Sequence, residues 1–160
     1  MFRKMRRFKQ LLPQETARDI LNRNTSGTLA LLGDDDYPYA VPISYVFADG
    51  KLYFHSATTG HKVDAIRQNE KASFCVIDQD QVVPEKYTTY FRSVIAFGKV
   101  RFIENVEEMR RIATILARKY SADFEDGISK EINSSINRMS IIEMKIEHMT
   151  AKEAIELLGK

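Results

Sequence analysis

Apolar and polar positions alternate along this chain in two rhythms, one helical and one strand-like. In PQETARDILNR, Pro13 to Arg23, the apolar positions Ala17, Ile20 and Leu21 recur at intervals of three and four, and Pro13 suits a first helical position. The spacing predicts a short helix. After NTSG, Thr28 to Leu32 reads as a strand stopped by the polar turn GDDDYP. The run YAVPISYVF, Tyr39 to Phe47, is rich in β-branched and aromatic residues, and Asp49-Gly50 then supplies a favoured hairpin turn before KLYFHS. Pro42 has no amide to give a ladder, so within that run it marks an edge, a bulge or a ligand-facing break.

The helical rhythm returns in GHKVDAIRQ, Gly60 to Gln68, which ends at Asn69, and strand character follows in ASFCVID. The long β-like run from Tyr87 to Ile103 has room for a fifth and a sixth strand, interrupted near Gly98. VEEMRRIATILARKY places apolar residues at Val106, Met109, Ile112, Ala113, Leu116 and Tyr120, the repeat of an amphipathic helix of about 14 residues. A second helix fits before Arg138, MSIIEMKI is strand-like, and AKEAIELL ends the chain with a helical turn or two. This strand-rich order with few short helices favours a small barrel over a parallel doubly wound sheet. Closure would also remove exposed edges.

Composition narrows the class. A chain of 160 residues, 44% apolar and 29% charged, makes one domain over residues 1–160 with a core that needs no staples. The lone Cys75 cannot form an intrachain disulfide, which points to a reducing compartment, the cytoplasm. No apolar stretch approaches the roughly 20 residues of a membrane span, and no signal peptide is evident, so no membrane role is expected. The net charge of +2 conceals a basic N-terminal arm: residues 1–10, MFRKMRRFKQ, carry five positive residues and no acid. The remaining residues hold 19 basic and 22 acidic side chains. Nucleic-acid binding would require basic balance there too, so the arm reads as solvated or wrapped on a subunit, with Phe2, Met5 and Phe8 available for packing.

Few residues are arranged for chemistry. His55 and His61 are six apart, His148 is remote, and no HExxH or paired CxxC pattern exists, so no metal site is expected. The chain lacks a GxSxG elbow, a GxGxxG loop and a GxxxxGK[ST] loop. What remains is YFHSATTGHKVD, Tyr53 to Asp64. There Ser56, Thr58 and Thr59 offer hydroxyls, Gly60 permits close backbone approach, and His61 and Lys62 stand at a helix start, which suits a phosphomonoester. A polar loop with a solvated Lys62 fits the same spacing.

The succession YPYAVPISYVFADGKLYFHSATTGHKVDAIRQNEKASFCVI resembles the flavin-binding part of the pyridoxamine 5'-phosphate oxidase-like split-barrel superfamily, and most of all its nitroimidazole-resistance branch. The similarity continues through YTTYFRSVIAFGKVRFIENVEEMRRIATILARKY and more weakly to MKIEHMTAKEA, covering most of residues 6 to 153. The resemblance implies a mainly β fold with α: a six-stranded antiparallel split β-barrel with short flanking helices, forming a homodimer that holds FMN in intersubunit clefts. Carried over residue by residue, Val41, Pro42, Ile43 and Ser44 would run beside the isoalloxazine ring. His55, Ser56 and Ala57 would continue that wall, His61 and Lys62 would meet the ribityl phosphate, and Ser93 and Val94 would approach the flavin from the other subunit.

The resemblance also gives His55 a catalytic role, orienting a substrate or donating a proton, beside the plain alternative of a structural histidine. The oxidases themselves carry an arginine- and histidine-containing C-terminal region that EHMTAKEAIELLGK does not match, which argues against vitamin B6 oxidation. The implied activity is FMN-dependent transfer of electrons from NADH, NADPH or another donor to a small-molecule acceptor such as a nitroaromatic compound. The alternatives are a non-catalytic flavin-binding stress or storage protein and a haem-binding protein of the same superfamily.

Overall fold

The first helical repeat folds as α1, Gln14–Arg23, with Pro13 as its N-cap and Ala17, Ile20 and Leu21 buried on one face. These positions belong to a computed structural model that describes residues 1–159. Strand β1, Ser26–Leu32, pairs with β2, Pro38–Ser44, across the three-aspartate turn. A tight hairpin then joins β3, Val46–Ala48, to β4, Lys51–Ala57. Its corner is Asp49 and Gly50 at φ values of 53° and 73°, the left-handed pair that a two-residue hairpin loop requires. Helix α2, His61–Gln68, is capped at Asn69 as its sequence suggests.

Two long strands follow, β5, Lys71–Val83, and β6, Thr88–Phe102. The Tyr87–Ile103 run is therefore one strand, and near Gly98 there is a register shift against the neighbouring strand in place of a break. Asn105 caps α3, Val106–Tyr120, by accepting the Glu108 amide hydrogen, and α4, Glu125–Ser135, packs beside it. Strand β7, Met139–Glu153, is twice the length that MSIIEMKI marks, and absorbs the start of the expected C-terminal helix; only a short turn at Ile155–Leu157 is left.

The expectation of a six-stranded closed barrel is overturned. Seven strands form one antiparallel sheet in the order β2-β1-β5-β6-β7-β4-β3, and β2 and β3 are its two edges. The cause lies at Tyr45, the single residue between those edges. Its amide donates to the Tyr120 hydroxyl at 2.8 Å, and that hydroxyl donates to its carbonyl at 2.6 Å. A side chain of α3 thus takes the backbone groups that a continuous strand would offer a neighbour. The Tyr39–Phe47 run divides there into two strands serving opposite edges, and Pro42 lies in one of those edge strands.

The interior face of the sheet packs a core around Leu29, Phe54, Phe74, Val94 and Ile142 against α1 and α2. A second core, around Tyr53, Ile112, Leu116, Ile132 and Ile141, lies beneath α3 and α4. The expected positions 55–57 lie where the second core opens to solvent.

Candidate functional site

Strand alternation decides where the end of β4 points. Tyr53 is buried in the second core, so His55 and Ala57, two and four residues on, share its face toward α3 and α4. There a cavity of about 560 Å³ is walled on one side by Ser44 of β2 and by His55, Ser56 and Ala57 of β4. Opposite stand Ala113, Leu116, Ala117 and Tyr120 of α3, and Glu131, Ile132 and Ser135 of α4. Arg138, Met139 and Ile141 close it where β7 begins. His55 is exposed, and among the described residues no hydrogen bond holds its ring.

The remaining residues that the sequence singles out occupy three other settings. Along β2, Val41 and Ile43 pack on the first core while Pro42 faces out. His61 turns toward the β1–β2 connection: its ring lies 4.1 Å from that of Tyr39, and the Asp34 amide donates to its Nε2 at 3.4 Å. Lys62, next to it, is half-buried, and burial lowers its pKa because the charged form loses hydration. Among the described residues it has no hydrogen-bond or ion-pair partner. On β6, Ser93 is half-buried between Ile77 and Lys152, whereas Val94 is only 1% exposed and packs within the first core.

The cavity therefore gathers Ser44, His55, Ser56 and Ala57; Val41, Pro42 and Ile43 precede Ser44 along β2 without lining it, and Lys62 lies outside the lining, at the start of α2. In the connection from β4 to α2, Gly60 has φ of 123°, with open space where a Cβ would be. The first amides of α2 and an unpaired ammonium are the donor set that a phosphate group fits. Arg92, another candidate phosphate contact, is already engaged by Glu153 at 2.9 Å and Asp78 at 3.2 Å. Sequence reasoning did not select the α3–α4 wall or Arg138. The only signal for that wall was the pair of small residues Ala113 and Ala117, four apart on one helix face.

The sequence model described as pyridoxamine 5'-phosphate oxidase matches residues 13–153. A conserved hypothetical protein of Mycobacterium tuberculosis superposes with a TM-score of 0.80 at 20% identity, over 97% of this chain and 92% of its own. A candidate 5-nitroimidazole antibiotic resistance protein of Bacteroides thetaiotaomicron superposes at 0.73 with 21% identity, over 89% and 86% of the two chains. An FAD-binding protein of Mesorhizobium loti gives 0.66 and 24%, over 90% and 96%. No curated protein matches the sequence. At these identities the structural neighbours share a fold with this chain.

Proposed function

The chain belongs to the pyridoxamine 5'-phosphate oxidase family, a flavin-binding split-barrel superfamily, and from that premise we propose that it is an FMN-dependent oxidoreductase acting on a small oxidised acceptor such as a nitroaromatic compound. The observation that carries this reading is one stretch of chain, His55 to Lys62. It begins in the wall of a partly apolar cavity and ends at a helix start with an unpartnered, half-buried cation. A phosphate-tailed planar ligand would use both ends at once.

Bound there, FMN would accept electrons from NADH, NADPH or another donor and pass them to the acceptor. The protein's own part is positional. Lys62 and the first amides of α2 hold the phosphate; Ser44 of β2 and His55 to Ala57 of β4 shape the ring's wall; α3 and α4 cover the opposite side and keep bulk water from it. His55, exposed in the cavity with its ring unbonded, is placed to orient the acceptor or to supply a proton through its imidazole N–H. A second copy of the chain fits the reading: the outer face of β5 and β6 leaves Ile77, Ile95 and Phe97 exposed, and a homodimer would cover them.

The test is the visible absorption spectrum of protein purified without added cofactor and again after loading and washing, with the released flavin identified by mass. Retained FMN that NADH or NADPH reduces in the absence of oxygen and that a nitroaromatic then reoxidises is the expected result. A protein that retains no flavin would overturn the reading. Flavin held tightly without turnover would make it a flavin carrier.

A further inference from the structure

The basic N-terminal arm takes no part in the lining of the cavity, and the fold pins it at both ends. The Phe2 ring stacks on His148 at 4.9 Å, and the Leu12 amide donates to the Ala151 carbonyl at 2.9 Å. Between these points Arg3, Lys4, Arg6, Arg7 and Lys9 are all exposed, and among the described residues none has an acidic partner. A cation that meets no acid of its own chain keeps its full pull on an outside anion.

Apolar side chains stand among these cations. Phe8 is 68% exposed, Ile155 59% and Leu11 45%, although large apolar residues gain most from leaving water. Phe8 and Ile155 line a pocket of about 280 Å³ together with Arg6, Arg7, Lys9 and Gln10, and its walls are mostly apolar. Such a place fits an anion with an apolar body: the cations meet the charge while the body leaves water. Leu11 and Ile155 are aliphatic and offer a nucleic-acid base no ring to stack on. Outside the arm the chain holds 22 acidic against 19 basic residues, so no basic excess continues from the arm to follow a strand. A lipid surface needs only one patch. It also uses both kinds of residue, since neither a short basic segment nor a few apolar side chains holds a protein there alone.

We infer that the arm and the turn at Ile155 dock on an anionic phospholipid surface, with the five cations of the arm at the headgroups and Phe8, Leu11 and Ile155 entering the acyl boundary. Among the described residues no helix is long and apolar enough to cross a membrane, and the contact is peripheral. Neither the flavin nor the cavity takes part in it.

Co-sedimentation of the full chain with vesicles tests this. Phosphatidylcholine vesicles containing about one-third phosphatidylglycerol are expected to carry the protein down, and pure phosphatidylcholine is not, with binding that falls steeply as salt rises. Arg6→Gln combined with Arg7→Gln should weaken partitioning about 20-fold or more, at about fivefold per charge, and Phe8→Ser should weaken it severalfold. All three positions are exposed, so melting temperatures should match that of the parent. Protein left in the supernatant of the anionic vesicles, or variants that partition like the parent, would overturn the inference. Displacement from the vesicles by glycerol 3-phosphate would overturn it in favour of a soluble phosphate. Tighter binding of a duplex oligonucleotide than of the vesicles at the same salt would overturn it in favour of nucleic acid.

Discussion

His55 and Lys62 are seven residues apart, and their surroundings separate their roles. Burial without a partner makes the Lys62 ammonium costly in the free protein, since the charge has lost water and gained nothing. A bound phosphate would supply the missing partner through a charge-assisted contact of about 1.5–3 kcal/mol. Lys62→Ala is therefore expected to raise the FMN dissociation constant by about 10- to 100-fold while leaving the cofactor-free protein as stable as the parent or slightly more so. Fluorescence titration and thermal melts read the two effects; unchanged affinity would remove Lys62 from the site. His55→Ala should behave in the opposite way, retaining FMN but slowing acceptor reduction by about 10²-fold, the usual worth of a positioned acid. Stopped-flow reoxidation of the reduced protein checks this, and equal rates would leave His55 without a catalytic part. The crowding of polar groups makes Lys62 a candidate from the sequence, whereas His55 becomes one through the family resemblance. The inward turn of Val94 was not legible there: its burial follows from which face of β6 meets the core.

Among the elements, the two long strands carry irregularities that depend on their partners. Asp78 is the extra residue where β5 slips register between Ile77 and Gln79. The bulge lets its carboxylate meet Arg23 Nε at 2.7 Å, Asn24 Nδ2 at 2.8 Å and Arg92 Nη1 at 3.2 Å, tying the end of α1 to the sheet. Burial alone would raise the pKa of Asp78, but hydrogen bonds from Arg23, Asn24 and Arg92 outweigh it and hold the group down at about 2, below the usual 3.8. A depressed folded-state pKa stabilises the fold above the unfolded value. That contribution, on the order of 2 kcal/mol, is lost as pH falls from about 4 through about 2. Asp78→Asn should destabilise at pH 7 and flatten this acid dependence, which urea melts between pH 2 and pH 7 measure; an unchanged acid limb would assign it to other carboxylates.

Gly98 marks the second irregularity, opposite the point where Glu147 is left over between Ile146 and His148. A Cβ at Gly98 would press into the Lys145 carbonyl, which is backbone and cannot swing aside. Gly98→Ala is expected to cost about 1–3 kcal/mol, read from the denaturation midpoint. The glycine was visible in the sequence as an interruption. That it accommodates a close strand approach, and lets a single strand of 15 residues continue, depends on β7.

For the whole molecule, one face of the sheet is covered by helices and part of the other is open. Ile77, Ile95 and Phe97 lie on that open side, and Phe2 of the basic arm stacks on His148 at 4.9 Å and approaches Phe97 at 5.6 Å. If a second copy covers this face, sedimentation should give twice the chain's 18.4 kDa, and Phe97→Glu should halve that mass by burying an unpaired charge at the contact. A parent protein that sediments as a single chain would remove the dimer from the proposal. The sequence by itself determined α1, α2 and α3, the Asp49-Gly50 hairpin, the strand-rich class and the polar connection from His55 to Lys62, because each depends on nearby residues, whereas the helix expected at AKEAIELL gives way to β7 and a short turn. Only the tertiary structure decided the seven-strand order, the break at Tyr45 and the α3–α4 wall of the cavity. Tyr120 reaches Tyr45 from 75 positions away, and Arg138 and His55 share a cavity across 83; no local periodicity encodes which distant side chain will take a backbone group or close a space.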